Sequence, residues 1–462
     1  MSNLYDLIVI GSGPAGKRAA IQAAKFGNRV LVIEKNFSIG GVSVHTGTIP
    51  SKTLRETVMN LTGWKERGFY GRNYRVKKDI TFDDLKTRLQ MTLDHEVEVL
   101  ENQFSRNSVT TVQGSAKFTD THSLEVTDET GAVHKYTGEK FVLAVGTKPF
   151  RPPEIAFDGN QIIDSDDILK IKRLPRTLTV VGAGVIGVEY ATIFSTLDIP
   201  VTVIDPRDPI LEFLDKDLTS ELVHQLKDRG VTFHIGASVE SVEKDSLDRC
   251  IVNLDNGRTV KTDMVLYAAG RVGATDTMGL DSCGIETDKR GRIQVNSNTF
   301  QSAVDYIFAV GDVIGFPALA STSMEQGRLA ACHAFGEHVT DPPKFFPYGI
   351  YSIPEMSTVG ETEEEVRDRK EPYECGVARF RETSRGQIMG LRNGMMKMIF
   401  SLQDRKLLGV HIIGEGSTEL IHIGQAVMHF GGTVDYFVES TFNYPTLAEA
   451  YKIASLDAWN RM

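Results

Sequence analysis

Gly11-Ser12-Gly13-Pro14-Ala15-Gly16 follows the apolar run Leu7-Ile8-Val9-Ile10 and precedes the alanine-rich stretch Ala19 to Ala24. The same grammar returns at Gly182-Ala183-Gly184-Val185-Ile186-Gly187, after Leu178 to Val181 and before Val188 to Phe194. One such glycine pattern alone is weak, but strand, turn and helix agree in both places. Each unit then runs into a second apolar strand ending in an acid, Val30-Leu31-Val32-Ile33-Glu34 and Val201-Thr202-Val203-Ile204-Asp205, at the same spacing from its third glycine. The glycines permit a tight turn, close approach of backbone to a pyrophosphate and close helix packing. The helix N-terminus adds free N–H groups and a partial positive charge.

Two Rossmann-like dinucleotide-binding domains are therefore expected, in an α/β chain. Between them lie a polar helical stretch, Thr81 to Gln103, and a β-rich segment, Val109 to Leu143, leading to Gly146 and Thr147. Met264 to Gly270 and Tyr306 to Asp312 read as strands returning to a sheet. From about Phe345 the chain alternates strand-like runs (Met395 to Phe400, Leu407 to Ile413) with helices and carries no phosphate loop, which predicts a third, α+β domain.

Composition fits a globular enzyme of several domains: 462 residues, 41% hydrophobic and 24% charged. A formal net charge of -10 supplies no basic field for a phosphate backbone, so nucleic acid is not an expected partner. No apolar run reaches the roughly 20 residues of a membrane span. The start, Met1-Ser2-Asn3, passes directly into a strand, and no export signal is expected. Cys250, Cys283, Cys332 and Cys375 are scattered without a CxxC pair, so neither a metal site nor a disulfide framework is expected, and the reducing cytoplasm is the expected compartment.

Glu34 can accept both ribose hydroxyls and would repel a 2′-phosphate, which suits either FAD or NAD. Sequence order favours FAD there, because Gly40 to Lys52 and the late Gly311-Asp312 can close around a long ligand. NAD(P) is left for the second unit. Asp205 there favours NAD, yet Arg207 is placed to meet a 2′-phosphate with bidentate hydrogen bonds, unless it is only a solvated charge beside Asp208.

Over essentially its whole length the chain resembles the two-dinucleotide flavoprotein family of glutathione reductase and dihydrolipoamide dehydrogenase. The most specific stretch is Gly40-Gly41-Val42-Ser43-Val44-His45-Thr46-Gly47-Thr48-Ile49-Pro50-Ser51-Lys52. In disulfide reductases of that family two redox cysteines stand where Ser43 and Thr48 stand here, and hydroxyls cannot cycle between dithiol and disulfide. The family's histidine before Pro-Thr is here Tyr444, in Tyr444-Pro445-Thr446, with Glu449 retained. Tyrosine, titrating near about 10 in water, is a poor base at neutral pH. The double loss, with Gly349 to Glu355, His422 to Ala426 and Thr441 to Thr446, is similar to the FAD-containing pyridine nucleotide transhydrogenase branch, although that branch commonly keeps the first cysteine.

The resemblance implies domains at 1–150 (FAD, first part), 151–275 (NAD(P)), 276–343 (FAD return segment) and 344–462 (dimerisation, giving a homodimer). It implies FAD or NAD(P) contacts from Gly11, Gly13, Gly16, Glu34, Lys35, Gly41, Ser43, Thr48, Lys52, Ala116, Gly146, Thr147, Gly182, Gly184, Gly187, Asp205, Arg207, Gly270, Arg271, Gly311, Asp312 and Ala320. Lys52 is expected beside the flavin and Glu189 as the carboxylate that orients it, with Tyr444 and Glu449 reaching the opposite subunit's flavin. Without a disulfide, hydride is expected to pass from NADPH to flavin and on to NAD+ through one nicotinamide site, with ping-pong kinetics. The alternatives are a diaphorase or oxidase serving a quinone or oxygen, or a non-catalytic redox-sensing flavoprotein. His45 is expected to pack or touch flavin rather than act as a base. The acidic run Glu361 to Glu365 is expected to be a solvated helix face.

Overall fold

A computed structural model describes residues 3–339 and 343–462. Met1 and Ser2 of the expected unsignalled start, and residues 340–342 beside the expected 343/344 boundary, lie outside it. The chain forms two compact units, Met1–Thr53 with Thr87–Phe150 and Gly270–Pro342, and Leu54–Lys86 with Arg151–Ala269 and Pro343–Met462.

In the first unit, strands β1 (Leu4–Ile10), β2 (Val30–Glu34) and β3 (Thr110–Gln113) run parallel, and β4 (Ser115–Phe118), β5 (Ser123–Thr127) and β6 (Val133–Leu143) complete the order β3-β2-β1-β6-β5-β4. The long β6 serves three partners: residues 133–137 pair antiparallel with β5, and Thr137 to Leu143 lie parallel to β1. Ile307–Ala309 returns to this sheet on Phe141 to Leu143. Valine and isoleucine on both faces of β1 and β2 are buried, the pattern of a parallel sheet covered on both sides. Helix α1 (Pro14–Lys25) covers one face, and its alanines let the Ala320–Ala334 helix come so close that a Cβ at Gly327 would lie 2.1 Å from the Ala15 carbonyl oxygen.

The second unit repeats the parallel plan. Leu178–Val181 is flanked by Val201–Asp205 and Met264–Tyr267, with Thr232–Ile235 and Ile162–Asp164 at the edges. Val239–Lys244, Cys250–Leu254 and Thr259–Thr262 form a small antiparallel sheet of the same unit, and its five-stranded C-terminal sheet, ordered Tyr348–Ile350, Met356–Gly360, Leu407–Ile413, Met395–Ser401, Tyr373–Arg379, is antiparallel and packs against the Ser417–His429 and Glu449–Trp459 helices.

The acidic run is not simply a solvated face. Thr362 caps the Glu363–Asp368 helix in a reciprocal box with Glu365, and Glu363 turns back to the Lys397 ammonium at 2.5 Å. Lys397, 2% exposed, also meets Asp215, fully buried, at 3.0 Å. Asp217 joins them at 2.6 Å. A buried lysine requires such carboxylates, which is the physical reason the run points partly inward. Burial alone would raise the Glu363 carboxyl; Lys397 and the Tyr373 hydroxyl overcome it and hold it at about 2. Asp215 also caps the Lys216–Asp228 helix by accepting from the Asp217 amide at 3.0 Å.

Candidate dinucleotide sites

The first turn is built by contacts only glycine allows. Gly11 has φ +100°, and a Cβ there would lie 2.4 Å from the Ala144 carbonyl oxygen. A Cβ on Gly16 would lie 1.9 Å from the Gly11 carbonyl oxygen, whereas one on Gly13 would meet nothing within 4 Å. The first and third glycines therefore close the turn, and the second leaves its approach open to a ligand, at the N-cap of α1. Glu34 is locked beside it: its Oε2 accepts from the Ser12 amide at 3.1 Å and from Ser12 Oγ at 2.6 Å. Its Oε1 accepts from the Asn36 amide at 2.9 Å.

These groups open onto a cleft of about 360 Å³, within the usual range for cofactor sites. Gly11, Gly13, Glu34, Lys35, Gly41, Ser43, Thr48, Ala116, Gly146, Thr147, Gly311, Asp312 and Ala320 all line it. Gly16, Lys52, Gly270 and Arg271 do not. Gly16 packs beneath the turn, Gly270 accepts from the Phe150 amide at 3.0 Å, and Arg271 supports the wall by donating to Thr147 Oγ1 and O, each at 2.9 Å. Lys52 lies in the Thr48–Leu61 helix, where its Nζ donates to Ser51 Oγ at 3.2 Å. Burial raises the Asp312 carboxyl, and the charge of Arg271 only partly opposes it. Asp312 lines the cleft and can present its half-buried carboxyl to ligand hydroxyls.

The residues fit FAD. The open glycine, the fixed ribose-type acid and the half-buried Asp312 suit a long ligand with a pyrophosphate and a polyhydroxyl chain. Ser12, Gly114, Ser115, Thr277 and Ser323 also line the cleft and were not singled out from sequence. Only Ser12 carried a signal, since it sits inside the glycine motif. Ser43 Oγ donates to the Gly40 carbonyl at 3.1 Å, and a His45 Nε2 contact to the Ile39 carbonyl at 2.8 Å braces the same loop. No cysteine lines the cleft. Burial pushes the Cys250 thiol up to about 11 and the Cys375 thiol up to about 12, far from the thiolate that redox exchange requires.

The second turn copies the first. Gly182 has φ +105°, and a Cβ there would lie 2.5 Å from the Ala268 carbonyl oxygen. A Cβ on Gly187 would lie 1.9 Å from the Gly182 carbonyl oxygen, and one on Gly184 would again meet nothing within 4 Å. Gly184 caps the Val185–Thr196 helix. Asp205 takes Glu34's place, with Oδ2 accepting from the Ala183 amide at 2.6 Å and Oδ1 from the Arg207 amide at 2.9 Å. The Arg207 guanidinium closes on the same carboxylate, Nε to Oδ1 at 3.0 Å and Nη2 to Oδ2 at 2.9 Å.

Glu189 lies one turn into that helix, buried, and its Oε1 accepts from the Tyr351 amide at 2.9 Å, a partner not foreseen from sequence. Tyr444 is 67% exposed, and its hydroxyl shares a 2.5 Å hydrogen bond with Ser384 Oγ. Glu449 opens the final helix, and its Oε2 is buried without a hydrogen-bond partner.

Residues 5–327 match the pyridine nucleotide-disulphide oxidoreductase family, and residues 346–455 match that family's dimerisation domain. A soluble pyridine nucleotide transhydrogenase of Mycobacterium bovis is 50% identical over 459 residues, 99% of this chain and 98% of that protein. One from Vibrio parahaemolyticus is 42% identical over 464 residues, 100% of this chain and 99% of that protein. Among solved structures, the HOCl-induced flavoprotein disulfide reductase RclA of Escherichia coli matches with a TM-score of 0.88 at 26% identity, over 98% of this chain and 99% of that one. LpdA of Mycobacterium tuberculosis matches with a TM-score of 0.89 at 25% identity, over 97% and 99% of the two chains.

Proposed function

Because the chain belongs to the pyridine nucleotide-disulphide oxidoreductase family, we propose that it is an FAD-dependent transhydrogenase moving hydride between NADPH and NAD+ in either direction. The observation that carries the reading is the pair of matched glycine turns together with a cofactor cleft that no thiol lines. FAD, when bound, supplies the chemistry, taking hydride from one nicotinamide and giving it to another.

The protein's own part is to bind, orient and tune. The α1 N-terminus and Gly13 receive the FAD pyrophosphate, Glu34 receives the adenosine ribose, and Asp312 the polyhydroxyl chain. Gly182, Gly184, Gly187, Asp205 and Arg207 hold the pyridine nucleotide. Lys52 offers a cation that stabilises negative charge at the flavin, and Glu189 is the positioning carboxylate. Residues 344–462, which match the family's dimerisation domain, form the homodimer contact. The working compartment is the cytoplasm.

The test is initial-rate turnover of the FAD-loaded protein with NADPH and the thionicotinamide analogue of NAD+. Rapid production of the reduced analogue without oxygen supports the reading. Flavin that passes electrons only to oxygen or a quinone, with no reduced analogue formed, contradicts it. Lys52→Met is expected to slow flavin reduction by roughly a hundredfold in rapid mixing, the size of losing one preorganised electrostatic group.

A further inference from the structure

We propose that Arg55 is a positioning residue for flavin reduction: it fixes the turn at residues 351–355 and, through the Tyr351 amide, the direction of the Glu189 carboxylate. The inference rests on the reading of Glu189 as the carboxylate that orients the cation at the flavin.

Residues 351–355 join the Tyr348–Ile350 and Met356–Gly360 strands. Backbone groups that leave a ladder still need partners, and here side chains supply them. The Tyr351 amide donates to Glu189 Oε1 at 2.9 Å, and the Ser352 carbonyl accepts from Arg55 Nε at 2.9 Å. The Ile353 carbonyl accepts from Arg229 Nη2, and the Pro354 carbonyl from Ser352 Oγ at 2.6 Å. Glu355 anchors the far end, its carboxylate accepting from the Gly416 amide at 2.5 Å and from Thr418 Oγ1 at 2.9 Å.

Arg55 does not line the cofactor cleft, yet it is only 5% exposed, in the Thr48–Leu61 helix. A guanidinium is costly to bury unless its donors are used. Its Nη1 meets the neighbouring Glu56, while Nε makes the long-range bond, to a carbonyl 297 residues away. Burial raises the Glu355 carboxyl and the charge of Arg55 opposes it, so the arginine acts on both ends of the turn.

The carbonyl that Arg55 holds belongs to the residue next to Tyr351, and losing that bond loosens the backbone that directs Glu189. Arg229 and the Glu355 anchor keep the turn folded, so what is lost is placement. The effect of a buried carboxylate depends steeply on distance, and support of this kind holds a working group to within about 0.5 Å. Arg55 touches no substrate on this account, and it alters the rate at which NADPH reduces the flavin, not the affinity for NADPH.

The experiment is anaerobic rapid mixing of the FAD-loaded full-length protein with NADPH over a range of concentrations. Arg55→Met removes the Nε donor and should lower the limiting rate of flavin reduction about tenfold, less than a misplacement of roughly 1 Å costs. Flavin content and the NADPH concentration for half-maximal rate should not change. Arg55→Lys keeps the charge and a donor and should recover part of the loss, to about threefold below the unaltered protein. In a Glu189→Gln background, where the carboxylate charge is already gone, either change should cost less than about twofold more, the non-additivity of residues that act as one unit. If Arg55→Met does not retain flavin, Arg55→Lys carries the same cycle. An unchanged limiting rate, a change confined to the half-saturating NADPH concentration, or losses that multiply in full beside Glu189→Gln overturn the proposal while the Glu189 reading stands. Loss of flavin from both Arg55 variants marks a purely structural residue and overturns it too. A Glu189→Gln protein that reduces its flavin at the full rate removes the Glu189 reading, and the role of Arg55 with it.

Discussion

The two glycine turns are near copies in backbone and differ in the side chains that face the ribose. Gly11 and Gly182 each donate to the carbonyl of the strand-end isoleucine, Ile33 or Ile204, at 2.8 Å, and the third glycine of each would bring a Cβ to 1.9 Å from the first. Around that shared frame, Ser12 ties Glu34 from the turn itself, while the second turn has Ala183 and an arginine that closes from outside. Ser12 Oγ also accepts from the Gly40 amide at 2.8 Å, stitching the loop that leads to Ser43 onto the first turn. The difference teaches that the same glycine spacing builds the same backbone turn, whereas the residues one and two places from the turn and the acid decide how that acid is held: by a serine of the turn itself in the first, and by an outside guanidinium in the second. The first arrangement suits a resident cofactor and the second a substrate that must leave at every turnover.

The comparison can be broken most forcefully at the buried ion cluster that anchors the helix following the second fingerprint. Lys397→Met leaves the buried Asp215 without its cation and Glu363 with only the exposed Arg367, and should cost about 3–5 kcal/mol of stability, read by denaturant unfolding at neutral pH. The sign with pH follows from Glu363, whose carboxyl is held at about 2 against an ordinary 4.5. Its contribution is present above the ordinary value and is lost as pH falls through the folded one, so the gap between the two proteins should narrow as pH falls from 4.5 toward 2. A gap that widens there would contradict the cluster's role.

Gly16→Ala and Gly187→Ala place the same Cβ against the same carbonyl in the two turns, an overpacking cost of about 1–3 kcal/mol or more. Gly16→Ala should lose FAD, measured as flavin per chain. Gly187→Ala should stay yellow but lose bleaching by NADPH. Equal flavin content in both variants would erase the functional distinction between the turns. Ser12→Ala removes one hydrogen bond to Glu34 and should loosen FAD by about 1 kcal/mol, measured by FAD titration of the apoprotein. The smallest effect belongs to the cysteines: replacing Cys250 and Cys375 by serine should leave the NADPH to NAD+ rate unchanged, and a large loss of turnover in the folded variant would restore a thiol to the chemistry.

The parallel sheets, both turns and the acids at the strand ends are legible in the sequence because each rests on local periodicity and on glycines that no other residue can replace. Ser43 and Thr48 line the first cleft, and both belong to one contiguous stretch that the sequence singles out through its family resemblance. What the sequence withholds depends on side-chain direction and on partners far along the chain. Arg207 is two residues from Asp205, yet spacing alone does not say that its fork closes on the acid instead of standing in solvent. Glu363, at the start of a helix, reads as one more charge in an acidic run until Lys397, on a strand of the antiparallel sheet, is brought to it. Tyr351 becomes Glu189's partner only once the C-terminal segment is folded against the second turn's helix.

The most direct test of the account is anaerobic rapid mixing of the FAD-loaded enzyme with one equivalent of NADPH, followed by NAD+. The account predicts that NADPH bleaches the flavin band, that NAD+ restores it with one NADH formed per flavin, and that steady-state plots at several NAD+ concentrations are parallel. A flavin that NADPH reduces but NAD+ cannot reoxidise, or plots that intersect, would contradict it.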